Sequence, residues 1–161
     1  FHWDHPDIRQ LQEFCTATVF RLIAELSGYD RERVQALRMS ADAWFHITRA
    51  GGSFGFHNHP MASWSGIYCV DNGYGDNAGV DSGHVQFMHP APTAGMFVDL
   101  GVANVRAPWA NQPKEMALMS GQLVVFPSWV MHQVLPFTGT QERVTVAFNA
   151  WFKDVGAGAA T

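Results

Sequence analysis

A mainly β domain with N-terminal helices, folded as a helix-buttressed sandwich or jelly roll around a central pocket, is what this sequence predicts. Three observations lead there. Apolar residues recur at three- and four-residue steps through about residue 26. From Ala41 the period changes to two, in about eight short runs separated by Gly, Asn, Asp and Pro. Aromatic residues make up 13% of the chain, with six Trp and twelve Phe, which suits a β-rich fold with a lined cavity. A doubly wound parallel sheet is excluded because helical segments do not alternate with the strands.

Taken in order, Asp4-His5-Pro6-Asp7 marks a helix start, with an Asp cap, Pro in the first turn and an acid near the positive end of the dipole. Ile8, Leu11, Cys15, Val19, Leu22, Ile23 and Leu26 then form one apolar stripe, and Gly28 suits the residue that ends the helix. A shorter helix is expected over 30–38, with Val34 and Leu37 inward. Residues 1–40 thus form a helical buttress, 41–154 a β core and 155–161 a Gly-Ala tail with nothing to pack, all in one domain of 161 residues. Strands are expected near 42–49, 54–60, 64–71, 84–89, 95–100, 122–127, 130–137 and 142–153. The stretches 71–77 and 107–119 read as irregular segments able to border a site mouth.

With 47% apolar and 15% charged residues the chain can bury a real core. A net charge of −4, without a cationic run, argues against a nucleic-acid partner. No apolar run reaches the roughly 18 residues of a membrane span, and no basic segment leads into an apolar one as in a signal peptide. Cys15 and Cys69 lack Cys-x-x-Cys spacing and read as core thiols of a reducing compartment, so a cytoplasmic protein is expected. The chain opens on Phe1 rather than Met, which leaves room for native residues before it.

The chemistry starts at Phe56-His57-Asn58-His59-Pro60. Alternate side chains of an extended strand share a face, so His57 and His59 can converge on one ion while Asn58 turns away. His132, which follows Phe126-Pro127-Ser128-Trp129, is the candidate for a further ligand. On the last strand Arg143, Thr145, Ala147 and Asn149 share one face and Val144, Val146, Phe148 and Ala150 the other; either could be inside. If the polar face lines a cavity, Arg143 with the Thr145 hydroxyl can grip a carboxylate. His84 and His89, five apart on a strand, face opposite sides and do not make a second site, while His2 and His5 read as surface.

The order His57-x-His59, Ser65-Gly66-Ile67-Tyr68, Phe126-Pro127-Ser128-Trp129 with His132, and Arg143-x-Thr145 with Phe148-Asn149 resembles a family of 2-oxoglutarate- and Fe(II)-dependent oxygenases over roughly residues 42 to 153. The resemblance implies a double-stranded β-helix, jelly-roll and cupin-like, that uses Fe(II) and 2-oxoglutarate with dioxygen to hydroxylate a small molecule or a peptide side chain, releasing succinate and CO2. It implies His57 and His132 as metal ligands and Arg143 with Thr145 as the clamp on the cosubstrate. Tyr68 and His46 become candidate cosubstrate contacts, and Trp64, Trp129 and Met131 candidate pocket walls.

One position departs from the wider superfamily, where a carboxylate completes the facial triad. Here His59 stands in its place. His59 is the preferred third ligand, since its spacing from His57 requires no loop rearrangement; Asp71, Asp76 or Asp81 is the alternative, as is an ion with two protein ligands and extra water. Three histidines also resemble a catalytic zinc set. Two other readings therefore stay open: a three-histidine cupin-like metalloenzyme independent of 2-oxoglutarate, and a non-catalytic β-sandwich that binds a sugar or small acid. A dimer through exposed aromatics is left open as well.

Overall fold

The structure is a computed structural model, and it describes residues 1, 3–75, 79–91, 97–106, 109–110 and 112–156. Helix α1 spans Pro6–Ser27 and α2 spans Arg31–Gln35. The cap of α1 is His5 rather than an aspartate: its Nδ1 accepts the Asp7 N–H at 3.3 Å, while Asp4 pairs instead with Arg9. Gly28 closes the helix in the left-handed conformation, φ 63°, and gives its N–H to the Ala24 carbonyl. Cys15, Val19 and Ile23, four apart, form its buried stripe. α2 stops short of Arg38 because the chain has turned into the first strand at Leu37.

Eight strands follow among the described residues: β1 Leu37–Thr48, β2 Phe54–His57, β3 Trp64–Asp71, β4 Val85–Phe87, β5 Lys114–Met116, β6 Leu123–Pro127, β7 His132–Val134 and β8 Arg143–Asp154. They make two four-stranded sheets, ordered β1-β8-β3-β6 and β2-β7-β4-β5, and every pairing is antiparallel. Two facing antiparallel sheets behind an N-terminal helix are the double-stranded β-helix that the sequence predicted.

The differences from expectation lie at the sheet margins. β1 begins five residues early because β8 runs on to Asp154 and pairs with it residue for residue, down to Leu37 opposite Asp154. No strand forms over 97–100, and 95–96 lie outside the described residues. β5, a three-residue strand of largely polar composition, was hidden inside the stretch read as irregular; it exists because it pairs with β4. Asp76, His2 and most of the tail, 157–161, also lie outside the described residues.

The apolar residues divide into two cores. One joins Cys15, Val19 and Ile23 of α1 to Phe148 and Ala150 on the outer face of the larger sheet. The other lies between the sheets and holds Cys69, Val85, Leu118 and Val134, with Phe54 and Ile67 against it. No helix among the described residues is long and apolar enough to cross a membrane.

Candidate active site

Between the sheets a cavity opens whose polar lining is His46, His57, His59, His132, Arg143 and Thr145. Trp44, Phe54, Ile67, Phe126 and Val134 form much of its apolar wall. The polar face of β8 is therefore the inward one. Arg143 and Thr145 are each only 2% exposed, which overturns a solvated-face reading of the arginine.

His57 and His132 meet because β2 and β7 are paired with these two residues directly opposite one another, ring centroids 4.3 Å apart. His59 arrives differently from the expected continuous strand over 54–60. β2 ends at His57, and the next turn is held by the His59 N–H, which donates to the Ser128 carbonyl at 2.9 Å. This brings the His59 ring to 5.2 Å from both others. One ring nitrogen from each of the three lies within 4.8 Å of the other two, the spacing of a set that can close on one ion.

The tautomers of two rings follow from their partners. His57 Nδ1 lies 2.7 Å from the Gly55 carbonyl and His132 Nδ1 lies 3.0 Å from the Val130 carbonyl. A carbonyl can only accept, so Nδ1 carries the hydrogen in each and leaves the Nε2 lone pair for an ion. Burial also disfavours the charged form of His132. It pushes His132 down to about 4, against the pull of the Val130 carbonyl and with help from His57 and His59. His59 is lowered by burial and then by His57, and His46 by burial, then by Arg143 and His57. Neutral imidazole is the form that binds metal.

Arg143 lines the same cavity. Its Nη2 is buried and has no hydrogen-bond partner among the described residues. Burial pulls its pKa down, and among the described residues Cys69 and Tyr74, neither of them a carboxylate, push the other way. A guanidinium so buried is a costly arrangement unless an anion comes to it. Two glycines let it be there. Gly73, at φ 62°, lies on the backbone of Glu142 and Arg143, where a Cβ would come within 2.7 Å. Gly83, at φ 64°, leaves room for the arginine stem, 3.1 Å from where its own Cβ would be.

The structure leaves several expected contributors outside this cavity. Tyr68 points the opposite way, its ring edge-on to Phe14 of α1 at 6.2 Å, because it falls on the helix-facing side of β3. Trp64 packs into the helix core for the same reason. Trp129 and Met131 are 58% and 41% exposed and lie with Phe56 and Met88 away from the cavity, Met131 because it directly precedes the inward His132 and Trp129 because it sits in the turn after β6. Asp71 accepts the Gly73 N–H at 2.9 Å and shapes its turn, and Asp81 groups instead with His84 and Glu115, a second cluster whose carboxylates are exposed. His84 thus has acidic company rather than His89.

Tyr74 went unnoticed in the sequence. Burial raises its phenol and the neighbouring Arg143 opposes that rise, which puts it in the guanidinium's field. Its flanking glycines, 73 and 75, both at positive φ, were the available signal. Asn149 was read as sharing a face with Arg143 and as part of the Phe148-Asn149 motif, without a role; it joins Ser65 and His59 in a part-buried polar chain.

A profile of the family described as "Putative 2OG-Fe(II) oxygenase" matches residues 42–149, well over half of the chain. No curated protein sequence matches. Among solved structures, a 2OG-Fe(II) oxygenase family oxidoreductase from Burkholderia pseudomallei superposes with a TM-score of 0.53 at 13% identity, over 81% of this chain and 50% of that one. A prolyl-4-hydroxylase from Pseudomonas putida gives 0.47 at 18% identity, over 71% and 53%. A prolyl 4-hydroxylase from Phytophthora capsici gives 0.48 at 21%, over 96% and 44%. The chain spans about half the length of these structures, and at such identities the Burkholderia match speaks to the fold alone. The family profile, covering the strands that carry His57, His132, Arg143 and Thr145, places this chain in the family of 2-oxoglutarate- and Fe(II)-dependent oxygenases.

Proposed function

We propose that this chain is a 2-oxoglutarate- and Fe(II)-dependent dioxygenase that hydroxylates a small molecule or a peptide side chain and releases succinate and CO2. One juxtaposition carries the reading: three histidine nitrogens within 4.8 Å of one another share a cavity with a buried guanidinium whose Nη2 has no partner among the described residues. The donor set fits the metal, and the orphaned guanidinium fits a carboxylate on the molecule beside it.

His57, His59 and His132 hold the ion in this reading, two of them with ring orientation set by backbone carbonyls two residues back. Three neutral ligands leave all of the ion's charge uncompensated, which strengthens its attraction for a dianionic 2-oxo acid. Arg143 donates a fork of N–H bonds to the far carboxylate of 2-oxoglutarate, and the Thr145 hydroxyl adds a further donor. The iron with its cosubstrate supplies the oxidising power for C–H hydroxylation. Trp44, Phe54 and Phe126 exclude water from the cavity and so sharpen each of these electrostatic contacts. Cys15 and Cys69 are both free and buried, which fits work in a reducing compartment such as the cytoplasm.

The test is an anaerobic titration of Fe(II)-loaded protein with 2-oxoglutarate, following the weak visible charge-transfer absorption. The proposal expects that absorption in the wild type, and at least a hundredfold (about 3 kcal/mol) loss of 2-oxoglutarate affinity in Arg143→Ala with iron retained. Iron bound without any response to 2-oxoglutarate would point instead to a cupin-like three-histidine enzyme, the reading favoured by His59 in place of a carboxylate. Protein that takes up no metal would leave a small-acid binding module.

A further inference from the structure

The three histidines are not supported alike. His57 and His132 each send Nδ1–H to the carbonyl two residues back in the chain, Gly55 on β2 and Val130 in the turn before β7. His59 lies beyond the end of β2 and has no such carbonyl; its Nδ1 faces the side-chain amide of Asn149 at 3.5 Å. That amide is fixed from behind. Asn149 Oδ1 accepts from Ser65 Oγ at 2.8 Å, and Ser65 Oγ lies 2.8 Å from Ser128 Oγ. Both serines are buried, at 1% and 0% exposure. Ser128 also accepts the His59 backbone N–H through its carbonyl, so the path Ser128, Ser65, Asn149, His59 closes on itself. Buried hydroxyls linked in this way are held in one geometry, and whatever they hold is held too.

We propose that Asn149 is the positioning residue for His59, turning its amide so that Oδ1 receives the His59 Nδ1–H and the Nε2 lone pair completes the three-nitrogen set. The proposal rests on the three-histidine reading above. With the amide nitrogen toward the ring, His59 Nδ1 is an acceptor, the hydrogen resides on Nε2, and that nitrogen is no ligand. A half-turn of the amide exchanges its oxygen and nitrogen in nearly the same volume. Ser65 then accepts from Asn149 Nδ2 and passes its own hydrogen to Ser128 Oγ, a bond in which either hydroxyl can be the donor. Asn149 thereby does for His59 what the Gly55 and Val130 carbonyls do for the other two rings. It can do so because β8 places it on the same inward face as Arg143 and Thr145.

Metal affinity, read by Co(II) and Fe(II) competition against a chelator, tests this without recourse to turnover. Asn149→Ala is expected to weaken binding by about 10- to 100-fold. Asn149→Asp, which can only accept from the ring, is expected to hold the metal at least as tightly as the wild type. In a His59→Ala background, Asn149→Ala is expected to add no further loss. The proposal is overturned if folded Asn149→Asp loses the metal, or if Asn149→Ala weakens binding equally with and without His59, the mark of a general structural role. Affinity lost in His59→Ala but kept in Asn149→Ala overturns this proposal alone. Affinity lost in His57→Ala yet kept in His59→Ala overturns the three-histidine reading, and this proposal with it.

Discussion

Along β8, Val146, Phe148 and Ala150 turn toward α1, whereas Arg143, Thr145, Ala147 and Asn149 turn toward the cavity. Both sides are buried, yet their contents differ in kind. The helix side is apolar and closed by Cys15, Val19 and Ile23, and it lowers the free energy of folding by removing that surface from water. The cavity side carries a guanidinium whose Nη2 has no partner among the described residues, and with it the imidazoles of His59 and His132, whose charge burial disfavours. One strand thus holds the fold with one face and opposes it with the other, and the opposition falls where the chemistry is proposed.

The largest effect that would separate the two faces is expected from Ile23→Ala. Removing this side chain, buried on α1 and absent from the cavity lining, should cost about 2–5 kcal/mol in urea unfolding while changing metal affinity little in protein that remains folded. A comparable loss of metal affinity would mean that the faces are not separable. The cavity face should show itself next in the acid response. Burial takes His132 from about 6.5 down to about 4, so the unfolded chain binds more protons than the folded one across that interval. The stabilisation is complete above about 6.5, is lost as pH falls toward 4 and changes no further below it, for a total of about 3 kcal/mol. Urea unfolding of metal-free protein at several pH values measures this, and His132→Gln should flatten the curve. The smallest effect is assigned to Gly83→Ala. A side chain at φ 64°, with its Cβ 3.1 Å from Arg143 Cδ, should destabilise by about 1–2 kcal/mol and weaken 2-oxoglutarate binding with little effect on metal. Calorimetric titration of each ligand checks the split.

How far these two faces could be read in advance depended on how local their causes are. α1, its Gly28 terminus and the alternation of β8 follow from patterns a few residues long, and they were legible to within a few positions. His57, His132 and the pair Arg143 and Thr145 were legible as spacings. What escaped depends on contacts distant in sequence. β5 is a strand only because β4 lies beside it. Which side of β3 faces the cavity is decided by its register with β8, and that register sends Tyr68 to Phe14 rather than to the guanidinium. Trp64 and Met131 failed as wall residues because a side chain next to an inward residue of a strand points outward, and Trp129 because it sits in the exposed turn between β6 and β7. Tyr74 reaches the site through a turn resting on Arg143, marked in the sequence only by the glycines on either side of it, and Asn149 through a bond to a serine 84 positions away, which leaves no local mark.

The central claim, that Arg143 is kept buried without a carboxylate partner among the described residues because a ligand supplies one, is tested most directly by the thermal stability of Arg143→Met against wild type, with and without 2-oxoglutarate in the presence of Fe(II) under anaerobic conditions. Methionine fills the space without the desolvated charge, so the variant should be more stable than wild type by about 1–3 kcal/mol when no ligand is present. It should also gain nothing from 2-oxoglutarate, whereas wild type is stabilised as the ligand is added. A variant less stable than wild type, and still stabilised by 2-oxoglutarate, would contradict the account.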